Sequence, residues 1–213
     1  MESISKNWLD VSESISKNTV VWPGDPQAIV SQLASHELGD DYQLSEAFFS
    51  LHTGTHIDAP LHFIKDGKDV TQIPSSSMMG DVLVMDVTNE NKITAEYLTR
   101  QDFQNCERIF FKTISDEMDR KSSLEKNDFI ALDVSAANYL REKKIKLIGI
   151  DGLSIAIAVE LKEVHVSLLE KEIVIVEVLN LQEITAGIYE MICLPIKIAG
   201  AEAAPARVLL RKK

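Results

Sequence analysis

Three of the five histidines in this 213-residue chain, together with one carboxylate, fall within His52-Thr53-Gly54-Thr55-His56-Ile57-Asp58-Ala59-Pro60-Leu61-His62. Neutral imidazole and carboxylate oxygen are the ordinary protein ligands of a divalent catalytic metal such as Zn²⁺ or Mn²⁺. His56 and Asp58 are two apart, so in an extended segment both side chains point the same way. His52 and His56 have the i,i+4 spacing of a helical metal pair. The intervening Thr-Gly-Thr disfavours a helix, because β-branched and glycine residues are poor helix formers. The expected arrangement is a strand ending near His52, then a turn, then a short extended piece carrying His56 and Asp58. Gly54 permits the tight turn, and Pro60 fixes the exit of the segment. Each residue also has a plainer use. A lone histidine is often hydrogen-bonded scaffold, and Asp58 before Ala-Pro suits an Asx-type turn. The clustering, in a chain with so few histidines, favours a metal site.

Farther along, Glu177 interrupts the otherwise apolar run Ile173–Leu179. A carboxylate in a buried strand is costly unless it is paired or bound to a cation. It could instead face solvent, but Ile173 and Ile175 would then share that exposed face. His165 lies on an amphipathic segment, Glu163–Glu170, and alone is unremarkable. Trp22 precedes Pro23-Gly24, a pair suited to a type II turn. An aromatic there either joins the core or projects into a pocket, and the residues alone favour the core.

The elements that must position these groups are short. Strands are expected at Trp8–Ser12, Gln43–Leu51, Gly80–Val87, Arg108–Thr113, Lys146–Asp151, Ile173–Leu179, Ile188–Ile198 and Arg207–Leu210. Phe48 and Phe49 are expected to contribute to the core. Helices are expected at Thr94–Arg100, at Ala136–Lys143 with Ser135 as N-cap, and at Glu163–Glu170. Many short strands with a few interspersed helices indicate a mixed α/β or α+β domain.

A chain of this length is normally one domain, here residues 1–213. A formal charge of −11 makes nucleic acid a poor partner, since phosphate backbones are bound by clustered Lys and Arg. No run of about 18 apolar residues suggests a membrane span. Met1–Lys6 lacks the apolar core of a secretory signal, so a cytoplasmic location is expected. Cys106 and Cys193, far apart and without a CxxC pairing, read as reduced thiols.

The pattern His-x-Gly-Thr-His-x-Asp-x-Pro-x-His, residues 52–62, resembles the signature of the cyclase-like metal-dependent hydrolases, a family that includes bacterial kynurenine formamidases. Gly149-Ile150-Asp151-Gly152-Leu153-Ser154 and Ala204-Pro205-Ala206-Arg207 are similar to further segments of that family, so the resemblance runs from about Trp8 to Leu210. It implies a swivelling β/β/α fold with a mixed β-sheet core. It also implies metal ligation by His52, His56 and Asp58, with Asp58 bridging to a second divalent ion, Zn²⁺ or Mn²⁺, held by His165 and Glu177. His62 is then spare, as a catalytic acid/base. Trp22, in Trp-Pro-Gly-Asp, lines the substrate pocket by the same resemblance. The implied reaction is hydrolysis of a C–N amide bond in a small molecule, with an N-formyl arylamine such as N-formylkynurenine of tryptophan catabolism as substrate. A cyclic amide, as for isatin hydrolases, is the alternative, and a non-catalytic metal-binding protein the third reading. A homodimer is implied too. One departure concerns Ile155–Leu161, shorter and more aliphatic than the corresponding loop of kynurenine formamidases, which bears on substrate identity.

Overall fold

The computed structural model describes residues 8–114 and 129–213. The segment Met1–Lys6, read above for a signal, lies outside them. Ten strands are present among the described residues: β1 (Leu9–Asp10), β2 (Ile29–Ala34), β3 (Leu44–Phe48), β4 (His56–Asp58), β5 (Met79–Asp86), β6 (Arg108–Lys112), β7 (Leu147–Ile150), β8 (Val174–Glu177), β9 (Gly187–Pro195) and β10 (Ala203–Lys212). Seven of them close on themselves in the order β10-β4-β8-β7-β6-β5-β9, with β9 pairing back to β10. Strands β5 to β8 run parallel to their neighbours within that group, while the remaining pairs are antiparallel. β1 extends the edge of β10 beyond the point where β4 ends. The fold is therefore mixed α/β, a barrel-like sheet with helices on its outside.

Strand periodicity sorts the core into two layers. Val82, Val84, Phe110, Leu147, Val174, Val176, Tyr189, Met191 and Val208 fill the barrel. The alternate residues Leu83, Met85, Ile109, Phe111, Ile148, Ile150 and Ile175 face outward under the helices. Those helices are α2 (Ala95–Thr99), α3 (Val134–Arg141) and α4 (Leu161–Leu169), and a single turn, α1 (Ser75–Met78), precedes β5. The interior is close-packed at Gly149. A Cβ there would lie 2.4 Å from Phe110 Cδ1 and 2.8 Å from Leu179 Cδ1, so the strand carries glycine.

Two expectations are corrected. The N-cap of α3 is Asp133, whose side chain accepts from Ala136 N, and not Ser135. Ser135 sits in the first turn, where its hydroxyl donates to Asp133 Oδ1 and accepts from Ala95 N. Phe48 is not core, being 61% exposed. It ends β3, which pairs only with β2 in a separate two-stranded hairpin. The hairpin's partner strand β2 was not expected from the sequence. The Pro23-Gly24 turn is as expected: Asp25 N donates to Trp22 O at 2.9 Å, with Gly24 at φ 100°.

Candidate metal centre

Strand β4 is three residues long and wholly buried. Its register sets His56 opposite Glu177 of β8 on one side and opposite Pro205 of β10 on the other. Ile57 points into the barrel, while His56, Asp58 and Glu177 share the outward face with Ile175. Helix α4 covers that face and brings His165 down onto it. The centre thus lies between sheet and helix, outside the barrel lumen. His52 comes from the turn preceding β4. His62 ends a 3₁₀ turn, Pro60–His62, started by proline.

The donor atoms converge. His52 Nδ1 is 3.1 Å from Asp58 Oδ1 and 3.2 Å from His56 Nε2. His56 Nε2 is 3.4 Å from both Asp58 Oδ1 and Glu177 Oε2. His165 Nε2 is 3.3 Å from Glu177 Oε1 and 3.6 Å from Asp58 Oδ2. Two ligands about 2.0–2.1 Å from one tetrahedral ion are roughly 3.4 Å apart, the spacing found here. Asp58 turns one oxygen to His52 and His56 and the other to His165.

The far nitrogens of two imidazoles are anchored, as ligand histidines usually are. His56 Nδ1 donates to Gly54 O at 2.8 Å, and His165 Nδ1 to Leu161 O at 2.7 Å. Glu177 Oε1 accepts from Ser154 Oγ at 2.9 Å and from Ile155 N at 2.7 Å. Directly after Glu177 the chain passes through Val178 at φ 59°, a conformation that a β-branched residue adopts only under constraint. Val178 N is held by Gly152 O at 3.0 Å, and Val178 O accepts from Thr55 Oγ1 at 2.5 Å.

A divalent cation fits this donor set. Both Asp58 oxygens are buried and neither meets a partner in hydrogen-bonding geometry, despite the short separations from His52 and His56. His165 Nε2 reaches Glu177 Oε1 at 3.3 Å, but no imidazole nitrogen meets either Asp58 oxygen in hydrogen-bonding geometry. A buried anion in that position is costly unless a cation compensates it. Protonation tells the same story. Burial alone would lower the His56 pKa, but Asp58 and Glu177 outweigh it and raise it to about 10. Burial and Asp58 push Glu177 up, yet His165 and His56 bring it to about 2. Asp58 is held well below the usual carboxylate range, its burial being overcome by His52 and His56. Without a cation, the two carboxylates retain protons on the surrounding imidazoles.

His62 differs from its neighbours. Burial lowers its pKa, as do the nearby His52 and His165, against the pull of Asp58. Its ring centroid is 4.3 Å from that of His52 and 5.8 Å from that of His165. It faces the cluster as a neutral imidazole able to accept a proton. One of its nitrogens also comes within 4.8 Å of donor atoms of Asp58 and His165, close enough for it to be weighed as a ligand.

A cavity of about 200 Å³ opens over the cluster, lined by Trp22, Asp25, Phe63, Leu153, Ser154 and Leu161 besides the cluster residues. Trp22 serves both uses open to it, lining the cavity while packing against Phe129, Ala131, Leu153 and Val178. Of the departing stretch 155–161, Ile155 and Ala156 are core and Leu161 lines the cavity. Sequence reasoning missed Asp25, Phe63 and Ser154 as lining residues. Two of them carried a signal, Ser154 by its place in Gly149–Ser154 and Asp25 by its place in Trp-Pro-Gly-Asp.

Residues 9–156 match the family model described as "Putative cyclase". A kynurenine formamidase of Bacillus anthracis is 32% identical over 210 residues, covering 97% of this chain and 98% of that one. Among solved structures, a potential metal-dependent hydrolase with cyclase activity is 33% identical, with a TM-score of 0.81 over 97% of this chain and 98% of that chain. Isatin hydrolase A of Labrenzia aggregata shares the fold at 22% identity, with a TM-score of 0.81 over 96% and 93% of the two chains. With a donor set suited to a divalent metal and a family match over most of its length, this chain belongs to the cyclase family.

Proposed function

We propose that the protein is a metal-dependent hydrolase that cleaves the C–N bond of a small amide, an N-formyl arylamine such as N-formylkynurenine being its substrate. The observation that carries this reading is the convergence of His52, His56, Asp58, His165 and Glu177 around an unpartnered buried carboxylate, with a spare imidazole beside them. Two ions per protomer, Zn²⁺ or Mn²⁺, are supported by the way Asp58 divides its oxygens between His52/His56 and His165. Bound there, such ions supply Lewis acidity and lower the pKa of water from about 15.7 toward neutrality.

The chain's own residues do the rest. His62, neutral because it is buried beside other imidazoles, takes a proton from the attacking water. The water oxygen adds to the carbonyl carbon, and the C–N bond then breaks. His62 returns the proton to the departing nitrogen, giving an amine and formate. Trp22 and Phe63 form the apolar walls against which an aryl group stacks, and Asp25 provides a carboxylate for a cationic substituent.

We place the enzyme in the cytoplasm, as a single domain that pairs into a homodimer. Pairing is supported by the hairpin β2–β3, which exposes Ile29, Val30, Leu33, Tyr42, Leu44 and Phe48. Among the described residues no helix is long and apolar enough to cross a membrane.

The test is hydrolysis of N-formylkynurenine by protein stripped with a chelator and then reloaded with Zn²⁺ or Mn²⁺. Restored turnover establishes the reading and ranks the ions. Metal binding with turnover of isatin alone transfers the site to a cyclic-amide substrate, and metal binding with neither substrate turned over discards both.

A further inference from the structure

Each imidazole that faces Asp58 or Glu177 at 3.4 Å or less has two nitrogens to satisfy. In His56 and His165 the far nitrogen donates to a backbone carbonyl, Gly54 O and Leu161 O respectively. His52 turns Nδ1 to the cluster, as the short approaches to Asp58 Oδ1 and His56 Nε2 show. Its Nε2 faces the side-chain carboxylate of Glu202, with Oε1 at 3.4 Å. Two imidazoles are thus hydrogen-bonded to carbonyls, while the third has a carboxylate at ion-pairing distance from its far nitrogen.

Glu202 is placed by the same strands that place the ligands. It immediately precedes β10, whose first pair sets Ala203 opposite Asp58. Its carbonyl oxygen accepts from Ala59 N at 2.8 Å, so the backbone around Glu202 is fixed to the exit of β4. Its side chain is 39% exposed and reaches His52 from the solvent side, while His52 is 18% exposed. A carboxylate there keeps the proton on Nε2 and leaves the Nδ1 lone pair directed at the cluster.

We propose that Glu202 is a positioning residue: its carboxylate orients His52 and fixes the tautomer in which Nδ1 can ligate a divalent ion. This rests on the metal-centre reading above. Glu202 touches neither the reacting atoms nor, through its side chain, any ligand other than His52. Removing such a partner typically costs about 10- to 100-fold in metal affinity.

The experiment measures Zn²⁺ affinity by competition with a chromophoric chelator for the wild-type chain and for Glu202→Ala, Glu202→Gln, His52→Ala and the His52→Ala/Glu202→Ala pair. Glu202→Ala is expected to weaken the tightest Zn²⁺ by roughly 10- to 100-fold. Glu202→Gln, which keeps an acceptor without the charge, should lie between Ala and wild type. Thermal midpoints of metal-free Glu202→Ala and Glu202→Gln should match wild type, separating the effect from fold damage. In the Zn²⁺-loaded wild type the His52 Nε2 proton should appear as a downfield ¹H resonance that Glu202→Ala removes. In the His52→Ala background the Glu202→Ala penalty should vanish. An equal penalty in that background would mean that Glu202 attracts the cation directly, and would overturn the proposal. Wild-type affinity in Glu202→Ala would overturn it as well. A wild-type chain that binds no Zn²⁺ would instead remove the metal-centre reading on which the proposal rests.

Discussion

Strand β4 and the hairpin β2–β3 break the same rule in opposite directions. β4 buries two ionisable side chains, His56 and Asp58, with essentially no exposure. The hairpin leaves Val30, Leu33 and Phe48 more than half exposed. Charged groups belong outside and large apolar patches inside unless something else completes them. What completes β4 is a cation, and for the hairpin we propose a second copy of the chain. Both departures are costly to the isolated fold; the first is met by a divalent cation and the second is the one our proposed dimer would meet.

That contrast can be broken by substitution. Asp58→Ala removes the carboxylate that serves both halves of the centre. Turnover should fall roughly a thousandfold or more, the equivalent of the several kcal/mol a metal supplies, with metal content by elemental analysis falling alongside it. On the proposed acid/base role, His62→Ala should lose about 10²- to 10⁴-fold in kcat while retaining its metal. Full activity in that variant would remove His62 from its role.

Titration sharpens the same side of the comparison. The raised His56 pKa of about 10 means that the metal-free site holds a proton there at neutral pH, which a bound ion must displace. Metal affinity should therefore rise with pH below that value, by about tenfold per unit for each proton released, and calorimetry in buffers of different ionisation enthalpy should show the release. His62 works in the other direction. Its pKa is lowered, so if it is the proposed proton acceptor, kcat/KM under saturating metal should hold through neutrality and fall on an acid limb below 6.5.

Smaller effects test the rest of the frame. Gly149→Ala forces a methyl into Phe110 and Leu179, and should destabilise the fold by about 1–3 kcal/mol in denaturant titration. On the hairpin, Phe48→Glu should leave stability within about 0.5 kcal/mol yet shift the protein to monomer by light scattering. An unchanged oligomeric state would strip the hairpin of its proposed partner.

Much of the centre was legible because its first donor residues are local. His52 to Asp58 span one turn and one short strand, and type and spacing alone were informative. Glu177 announced itself as a carboxylate within an apolar run. His165 had no such signal, and only the family resemblance singled it out. Glu202 was invisible, because its approach to His52 exists only once β10 pairs with β4, a register that no local pattern encodes. The barrel strands were legible from their apolar, β-branched runs, but closure through β9 and β10 depends on long-range pairing. Phe48 misled for the opposite reason: a Phe-Phe pair reads as core wherever it occurs, and nothing local says that its strand leaves the sheet. Asp133 and Ser135 are both good N-cap residues two positions apart, and Asp133 is the one that caps, with Ser135 donating to its side chain.

The position of β4 also bears on how the protein comes to exist. Its neighbours are supplied by strands much later in the chain: 123 residues separate Thr55 from Val178, which it bonds, and β10 comes later still. During synthesis the histidine cluster emerges first, and His165, Glu177 and the bracing strand β10 follow more than a hundred residues later. The metal centre therefore cannot assemble before β8 and β10 are made, and pairing at such sequence separation is intrinsically slow. Until β8 and β10 have been made, the His52–His62 segment lacks Glu177 and the strand that braces β4, so selective metal loading awaits their synthesis.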